Sequence, residues 1–141
     1  MTNINIYNMK AIANVVREPG EKNYSCLLTA ESMRGTVLGC GSSAKAAIAD
    51  MLRGWGETAD YMREEGKEVP ALDIEYRFDV GSLFSYYDFV NIAGVAREIG
   101  LNPSVMRQYA IGARKPSAER KAQIISGFKS LADKMQTATL Y

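Results

Sequence analysis

The sequence of 141 residues contains no histidine, only two cysteines, and no long apolar run. The absence of histidine excludes Ser–His and Cys–His catalysis together with most zinc sites. Two cysteines do not make a disulfide framework in a reducing compartment, so Cys26 and Cys40 are predicted to be ordinary strand residues. The longest apolar runs span a handful of residues, far below the ~18–20 that a membrane-spanning helix needs.

The amino-terminal stretch MTNINIYNMKAIANVV has no basic leader, continuous apolar core or cleavage site. It therefore does not have the pattern of a secretory signal, and we expect the protein to be cytoplasmic. With 47% hydrophobic and 23% charged residues, the composition is that of a globular protein. A chain of this length forms one ordinary domain or two small ones.

Charge is distributed unevenly along the chain. Residues 1–79 hold 9 Lys/Arg and 12 Asp/Glu, whereas residues 80–141 hold 8 Lys/Arg and 4 Asp/Glu. The acids concentrate in residues 57–79, where 8 acidic residues accompany 3 basic ones. Opposite signs in the two halves favour two modules with different partners, although the acidic stretch alone is equally typical of a solvated surface.

The first 80 residues predict a β-β-β-α-β unit. Strand-like segments at 9–17, 24–30 and 36–42 are separated by turn residues, which indicates a three-strand meander. Ser43 can cap a long helix whose apolar stripe follows helical spacing and consists of Ala44, Ala47, Ile48, Met51, Leu52, Trp55, Ala59 and Met62. Within that helix, Gly54 and Gly56 mark either a bend or a close approach of another backbone.

Residues 72–80, LDIEYRFDV, alternate strictly between apolar and charged side chains. This period of two predicts a half-exposed strand, antiparallel or at an edge. After residue 80 the period becomes helical, and four helices are predicted at 82–91, 92–99, 103–111 and 118–136. The predicted fold class is α+β: residues 1–80 form an antiparallel sheet with one long helix, and residues 81–141 form an all-α bundle.

Residues 92–111, IAGVAREIGLNPSVMRQYAI, have the pattern of a helix-turn-helix motif. Ala96 is the small residue where two helices touch, and Gly100 suits the corner between them. Asn102 caps the second helix and Pro103 occupies its first turn. The buried positions are predicted to be Val95, Ile99, Leu101, Met106 and Tyr109. The alternative is plain helical packing with a solvated Arg/Gln face.

The flanking GARKPS, residues 112–117, resembles the end of the recognition helix in the phage-repressor-like (XRE) helix-turn-helix family. The resemblance covers about residues 82–136, with Ser117 capping a last helix whose apolar face is Ile124, Ile125, Phe128, Leu131 and Met135. It implies a set of base-facing residues, namely Pro103, Ser104, Arg107 and Gln108. It also implies phosphate contacts by Asn102, Arg114 and Lys115. Pro103 departs from the glutamine that is frequent in the family, which leaves specificity to the other three.

Nearly the whole chain resembles the HicB-like antitoxins in the arrangement of its segments GEKNYSCLLTA, SSAKAAIADMLRGW and YMREEGKEVP. The resemblance implies a partial RNase H-like amino-terminal domain that neutralises a basic, mRNA-cleaving HicA-type toxin. It also implies a carboxy-terminal domain that represses transcription from operator DNA. Because one helix-turn-helix contacts only a few base pairs, we expect a homodimer or higher homo-oligomer.

No catalytic, metal or cofactor site is predicted. Metal-dependent nucleases of the RNase H type need carboxylates, one of them in the first strand, and MKAIANVV contains none. The competing hypothesis is a stand-alone regulator whose α/β domain only dimerises or senses a ligand. An enzyme is the least favoured hypothesis.

Overall fold

The structure, a computed structural model, describes residues 8–31, 33 and 35–141. These residues have an α+β architecture with a four-stranded mixed sheet and five helices. They divide into two compact units, with the boundary between Tyr86 and Tyr87. In the part of the chain that is described, no helix is long and apolar enough to cross a membrane.

The first unit contains four strands and two helices. In chain order they are β1 (Asn8–Val16), β2 (Tyr24–Thr29), β3 (Val37–Gly41), α1 (Ala44–Glu64), β4 (Ala71–Phe78) and α2 (Val80–Tyr86). The strand order across the sheet is β3-β2-β1-β4. The β1–β2 and β2–β3 pairs are antiparallel, as the predicted meander requires.

The prediction of an antiparallel sheet is wrong for β4, which pairs with β1 in parallel. The pairing extends from Asn8 opposite Ala71 to Val15 opposite Phe78. The cause is α1, which connects β3 to β4 as a crossover on one face of the sheet. Such a connection brings the chain back in the direction of the strand that it left, so β4 is parallel to both β3 and β1.

The core of the first unit lies between the sheet and α1. The strands contribute alternate residues, with Ala13, Val15 and Leu28 among the fully buried ones. On α1 the buried residues are Ala44, Ala47, Ile48, Met51 and Ala59. Leu52 was predicted to belong to this stripe but is 43% exposed, because its position falls beside the buried face and not on it.

The close approach between backbones lies on β3 and not at the two helix glycines. A Cβ atom added at Gly39 would collide with the Met51 backbone nitrogen and lie 2.7 Å from the Met51 Cα. A Cβ at Gly41 would lie 2.7 Å from the Ala47 nitrogen, whereas one at Gly56 would meet nothing within 4 Å. The absence of side chains on this face of β3 therefore allows α1 to pack directly on the strand.

The helix predicted at 82–91 is α2, which begins and ends earlier. Asp79 sets its start, since Asp79 Oδ1 accepts a hydrogen bond from the Ser82 backbone N–H at 2.8 Å. Asp79 Oδ2 also accepts from the Arg17 N–H at 3.2 Å, which ties the start of α2 to the end of β1. The boundary between the two units lies directly after α2, so α2 belongs to the first unit. The predicted division after residue 80 placed this helix in the second unit.

The second unit contains α3 (Ile92–Glu98), α4 (Pro103–Ala110) and α5 (Ala118–Gln136). Its buried residues are few and come from all three helices and the α3–α4 connection: Val95, Ala96, Leu101, Met106 and Ile124. The Tyr87 ring contacts the Phe128 ring of α5 with centroids 5.1 Å apart. A Cβ at Gly127 would collide with the Ile99 side chain, so α5 approaches α3 closely at this glycine.

Two predicted core positions of α5 are exposed. Ile125 is 41% exposed and Met135 is 60% exposed, while Phe128 and Leu131 are half-buried. The predicted buried positions of the α3–α4 segment agree better with the structure. Val95, Leu101 and Met106 are buried, and Ile99 and Tyr109 are half-buried. Ile125 directly follows the buried Ile124, so it lies about 100° around the helix from the buried face. Met135 lies in the last turn of α5, which is much longer than α3 and α4.

Candidate nucleic-acid interface

The corner between α3 and α4 is built by backbone hydrogen bonds at the end of α3. Asn91 caps the start of α3, since its Oδ1 accepts from the Gly94 N–H at 2.8 Å. At the other end Gly100 has φ = 80°, its N–H donates to the Arg97 carbonyl at 3.2 Å, and the Leu101 N–H donates to the Ala96 carbonyl at 2.8 Å. This pair of bonds is a Schellman motif, which requires the left-handed conformation that glycine adopts without strain.

The start of α4 follows at once and is capped as predicted. Asn102 Oδ1 accepts from the Ser104 N–H at 2.8 Å and from the Val105 N–H at 3.4 Å. Pro103 lies in the first turn, where a missing N–H leaves no hydrogen bond unmade. The Asn102 oxygen is thus used inside the protein, while the residue remains exposed and its amide NH₂ can donate outward.

One face of α4 is buried and the other presents polar side chains. Met106 is fully buried, whereas Ser104, Arg107 and Gln108 are exposed. These three exposed residues are separated by three and four positions, so they lie on one side of the helix. Within the described residues neither the Arg107 nor the Gln108 side chain has a hydrogen-bond or ion-pair partner. Both are therefore available to a ligand outside the chain.

Ile111 continues the same face and was not identified from the sequence. It lies four positions after Arg107 and is 63% exposed, although it is a large aliphatic residue. The sequence contained one signal for this position, because the helical spacing of Ile111 from Ser104, Arg107 and Gln108 places it on the same face. An exposed aliphatic side chain beside Arg and Gln is of the kind that contacts the methyl group of thymine in DNA complexes.

The basic segment after α4 folds back on the end of that helix. Gly112 has φ = 78° and its N–H donates to the Tyr109 carbonyl at 3.2 Å, which ends α4. The Arg114 N–H donates to the Gln108 carbonyl at 3.3 Å, so the backbone of this segment contacts the last turn of α4. Arg114 and Lys115 are both exposed, and Ser117 then caps α5 by accepting from the Arg120 N–H at 3.1 Å.

The predicted site residues therefore occupy one helix and the segment that follows it. Ser104, Arg107 and Gln108 share a helix face, and Arg114 adjoins its last turn, with Lys115 next in the chain. Pro103 is half-buried and contributes only part of its ring to this surface. Four basic residues follow within the short stretch 114–121, namely Arg114, Lys115, Arg120 and Lys121, against one acid, Glu119.

The acidic stretch of the first unit lies on α1, β4 and their connection, and intramolecular ion pairs neutralise part of it. Arg53 contacts Asp50 and Glu57 at 2.8 and 2.7 Å, Arg63 contacts Asp60 at 3.0 Å, and Arg77 contacts Glu75 at 3.0 Å. Of the eight acids in residues 57–79, all within the described part of the chain, four have no ion-pair partner: Glu64, Glu68, Asp73 and Asp79.

Asp50 also connects β3 to α1. Its Oδ2 accepts from the Cys40 backbone N–H at 2.9 Å, and this bond, together with the one from Arg53, lowers the pKa of the Asp50 carboxyl. Burial raises the pKa of Cys26 to about 11, so this thiol is neutral and inert in the folded protein. Among the described residues, no three His, Cys, Asp or Glu side chains are grouped so as to hold a metal ion.

Comparison of the chain with protein-family models, with curated proteins and with solved structures finds no match.

Proposed function

We propose that the protein is a sequence-specific DNA-binding transcriptional repressor of the HicB-like antitoxin type. In this proposal α3 and α4 form a helix-turn-helix, and α4 is the recognition helix that enters the major groove. Arg107 donates two hydrogen bonds to guanine O6 and N7, and Gln108 pairs with adenine N6 and N7. Ser104 and Ile111 contact the neighbouring bases.

The observation that carries the proposal is the exposed face of α4. Packing in a bundle does not explain an arginine and a glutamine that are exposed, have no intramolecular partner and lie about one turn after the capped start of the helix. Here Arg107 and Gln108 stand beside Ser104, opposite the buried Met106. This face has both the side-chain chemistry and the spacing that direct contact with base edges uses.

The charge of the second unit supports the same proposal. Residues 80–141 hold twice as many basic as acidic side chains, and the basic residues 114 and 115 adjoin the end of α4. Lysine and arginine at such a position bind phosphates, which fixes the register of the recognition helix without contributing sequence information. Asn102 assists by donating from its exposed amide NH₂.

A single-residue test addresses this phosphate role. We expect Lys115→Ala to weaken binding to every duplex by a similar factor and to reduce the slope of log K against log salt by about 1. The matched control is Lys22→Ala in the turn before β2, which removes the same charge from the first unit. Fluorescence anisotropy with labelled duplexes across a salt series measures both. Equal slopes for the Lys115 variant and the wild-type protein would contradict the phosphate contact.

For the first unit we propose that it neutralises a HicA-type toxin, a small basic ribonuclease. The surplus of acids in residues 57–79 supports a basic partner, and Glu64 and Glu68 retain unneutralised charge. Co-expression with a HicA-like protein followed by pull-down of a tagged chain tests this part. Recovery of a stoichiometric complex is the expected result, and recovery of the tagged chain alone would refute the toxin proposal while leaving DNA binding intact.

The alternative function is a stand-alone regulator whose first unit dimerises or binds a ligand. The exposed edge of the sheet at β4 favours dimerisation in this alternative. The neighbouring reading frame discriminates the two. A small basic protein encoded beside this gene supports the antitoxin, and an isolated gene supports the lone regulator.

A further inference from the structure

The edge of the sheet at β4 differs from the edge at β3. The strand β3 has five residues, of which Gly39 and Gly41 pack against α1. The strand β4 has eight residues, and all eight are in register with β1 without a bulge. Among the described residues no strand lies beyond β4.

Long regular edges are usually protected, and on β4 the protection is limited to three charged side chains on one face. Proteins shield such edges with charged residues, above all lysine, with proline, with a bulge or with a covering element, because unpaired backbone groups invite another strand. The sequence ALDIEYRF contains no proline, lysine or glycine. On the face shared with α1, Leu72, Ile74, Tyr76 and Phe78 are only half-buried, since α1 packs mainly on β3 and β2.

The charges on the other face of β4 are complementary to a second copy of the same strand. Asp73, Glu75 and Arg77 are all exposed. If two β4 strands pair antiparallel about a two-fold axis at Glu75, Asp73 of each lies opposite Arg77 of the other, twice. The half-buried residues match as well, with Ile74 opposite Tyr76 and Leu72 opposite Phe78 of the other copy.

Other registers are less favourable. Parallel pairing in register stacks Asp73 on Asp73, Glu75 on Glu75 and Arg77 on Arg77, which repel. An antiparallel axis at Ile74 brings Asp73 against Glu75. An axis at Tyr76 also pairs Glu75 with Arg77, but it brings Asp73 against Asp79, whose carboxylate is already bonded to the start of α2. It also leaves the first residues of β4 unpaired, so it buries a shorter stretch of the strand.

We propose that β4 is a homodimer interface, in which two copies of the chain join their sheets antiparallel about Glu75 into one continuous eight-stranded sheet. The two Glu75 carboxylates face each other at the axis, and this one like-charge pair is unfavourable. The two Asp73–Arg77 pairs offset it, and so does Arg77 of the same strand, which contacts Glu75 at 3.0 Å. The contact is isologous, as a two-fold homodimer requires. This interface is independent of DNA binding and of any toxin.

The test exchanges the charges of Asp73 and Arg77 and measures self-association by sedimentation velocity without DNA. Asp73→Arg places two arginines opposite each other, and Arg77→Asp places two aspartates opposite each other. Each single variant is expected to weaken self-association by roughly tenfold or more. The double variant D73R/R77D restores both pairs with their signs exchanged, and is expected to recover wild-type association.

A mixture of the two single variants tests directly whether residues 73 and 77 of different copies face each other. A tagged Asp73→Arg chain is expected to capture an untagged Arg77→Asp chain, because each pair across the axis is then oppositely charged. The control Glu64→Arg, an equal charge change on α1, is expected to leave association unchanged. Circular dichroism verifies that each variant is folded.

Three results would overturn the proposal: a wild-type chain that shows no self-association, single variants that associate as the wild type does, or a mixture that shows no preferential capture. If the wild-type chain does not self-associate, and Asp73→Arg and Arg77→Asp instead abolish binding to another protein, the β4 edge is the binding surface for that protein.

Discussion

At the scale of single residues, α4 separates a buried side from an exposed polar side within one helical turn. Met106 fills the core between the helices, while the next two residues, Arg107 and Gln108, point away from it. A substitution on one side should therefore change stability, and a substitution on the other side should change binding. The residues of the corner, such as Gly100, would have the same role in a bundle that binds nothing.

Arg107→Ala is expected to relax base preference at one operator position by about 1–3 kcal/mol without loss of stability. The reason is that the substitution removes a bidentate contact to guanine, whereas the exposed Arg107 side chain makes no hydrogen bond or ion pair within the described part of the chain. Competition binding with duplexes that differ at single positions measures this change, with Lys129→Ala on α5 as the control for loss of charge. A uniform loss across all duplexes would indicate a phosphate contact in place of base recognition.

The two thiols provide a second test at this scale. Cys26 is fully buried with its pKa raised to about 11, whereas Cys40 is exposed. Since the thiolate is the reactive form, iodoacetamide at about pH 8 is expected to modify Cys40 and to reach Cys26 only after unfolding. Mass spectrometry of peptides from the labelled chain measures the two sites separately. Equal labelling of both cysteines would contradict the buried position of β2.

The raised pKa of Cys26 also predicts a pH dependence. Its contribution to stability is fully present below its ordinary value of 9.0 and is lost as pH rises towards about 11, because the unfolded chain ionises first. Urea unfolding across this range is expected to show a decline that is smaller in Cys26→Ala. An identical decline in both proteins would assign the effect to other groups.

At the scale of elements, the first unit depends on the direct contact of α1 with a glycine-bearing strand. Gly39→Ala forces a Cβ into the Met51 backbone, and is expected to lower the free energy of unfolding by about 1–3 kcal/mol or more. Gly56→Ala is the matched control, because it enters open space on a helix and is expected to raise stability by up to ~1 kcal/mol. Urea unfolding measures both changes, and a neutral Gly39 variant would contradict the packing of α1 on β3.

The same elements show what the sequence could and could not predict. The alternation in β4 and the caps at Ser43, Asn102 and Ser117 were predicted, because each depends on residues within a few positions of one another. The parallel pairing of β4 with β1 was missed because it depends on where α1 returns the chain, which no local pattern records. The early start of α2 was missed because the cap at Asp79 lies inside a run that alternates like a strand.

The local geometry of the α3–α4 corner was predicted more completely than the sheet. The helix-turn-helix pattern is local, so Gly100, Asn102 and the outward residues of α4 could be placed from spacing alone. Ile111 was missed because an aliphatic residue at a helix end is ordinarily a packing residue. Its exposure depends on which other elements pack around the end of α4, which local spacing does not show.

At the scale of the whole molecule, the chain combines an acidic first unit with a basic second unit. In the proposed function this division corresponds to two partners of opposite charge, operator DNA for the second unit and a basic protein for the first. Self-pairing of β4 would add a two-fold axis and hence two copies of α4 in one assembly. Two recognition helices match an inverted repeat, since protein symmetry and operator symmetry correspond in helix-turn-helix dimers.

The most direct test of the central claim is selection of bound sequences from random duplex DNA by the wild-type protein. The proposed function predicts enrichment of a defined motif, repeated as an inverted pair and containing a guanine whose enrichment is lost in Arg107→Ala. A selection that enriches no sequence with folded wild-type protein would contradict the claim that this chain is a sequence-specific DNA-binding regulator.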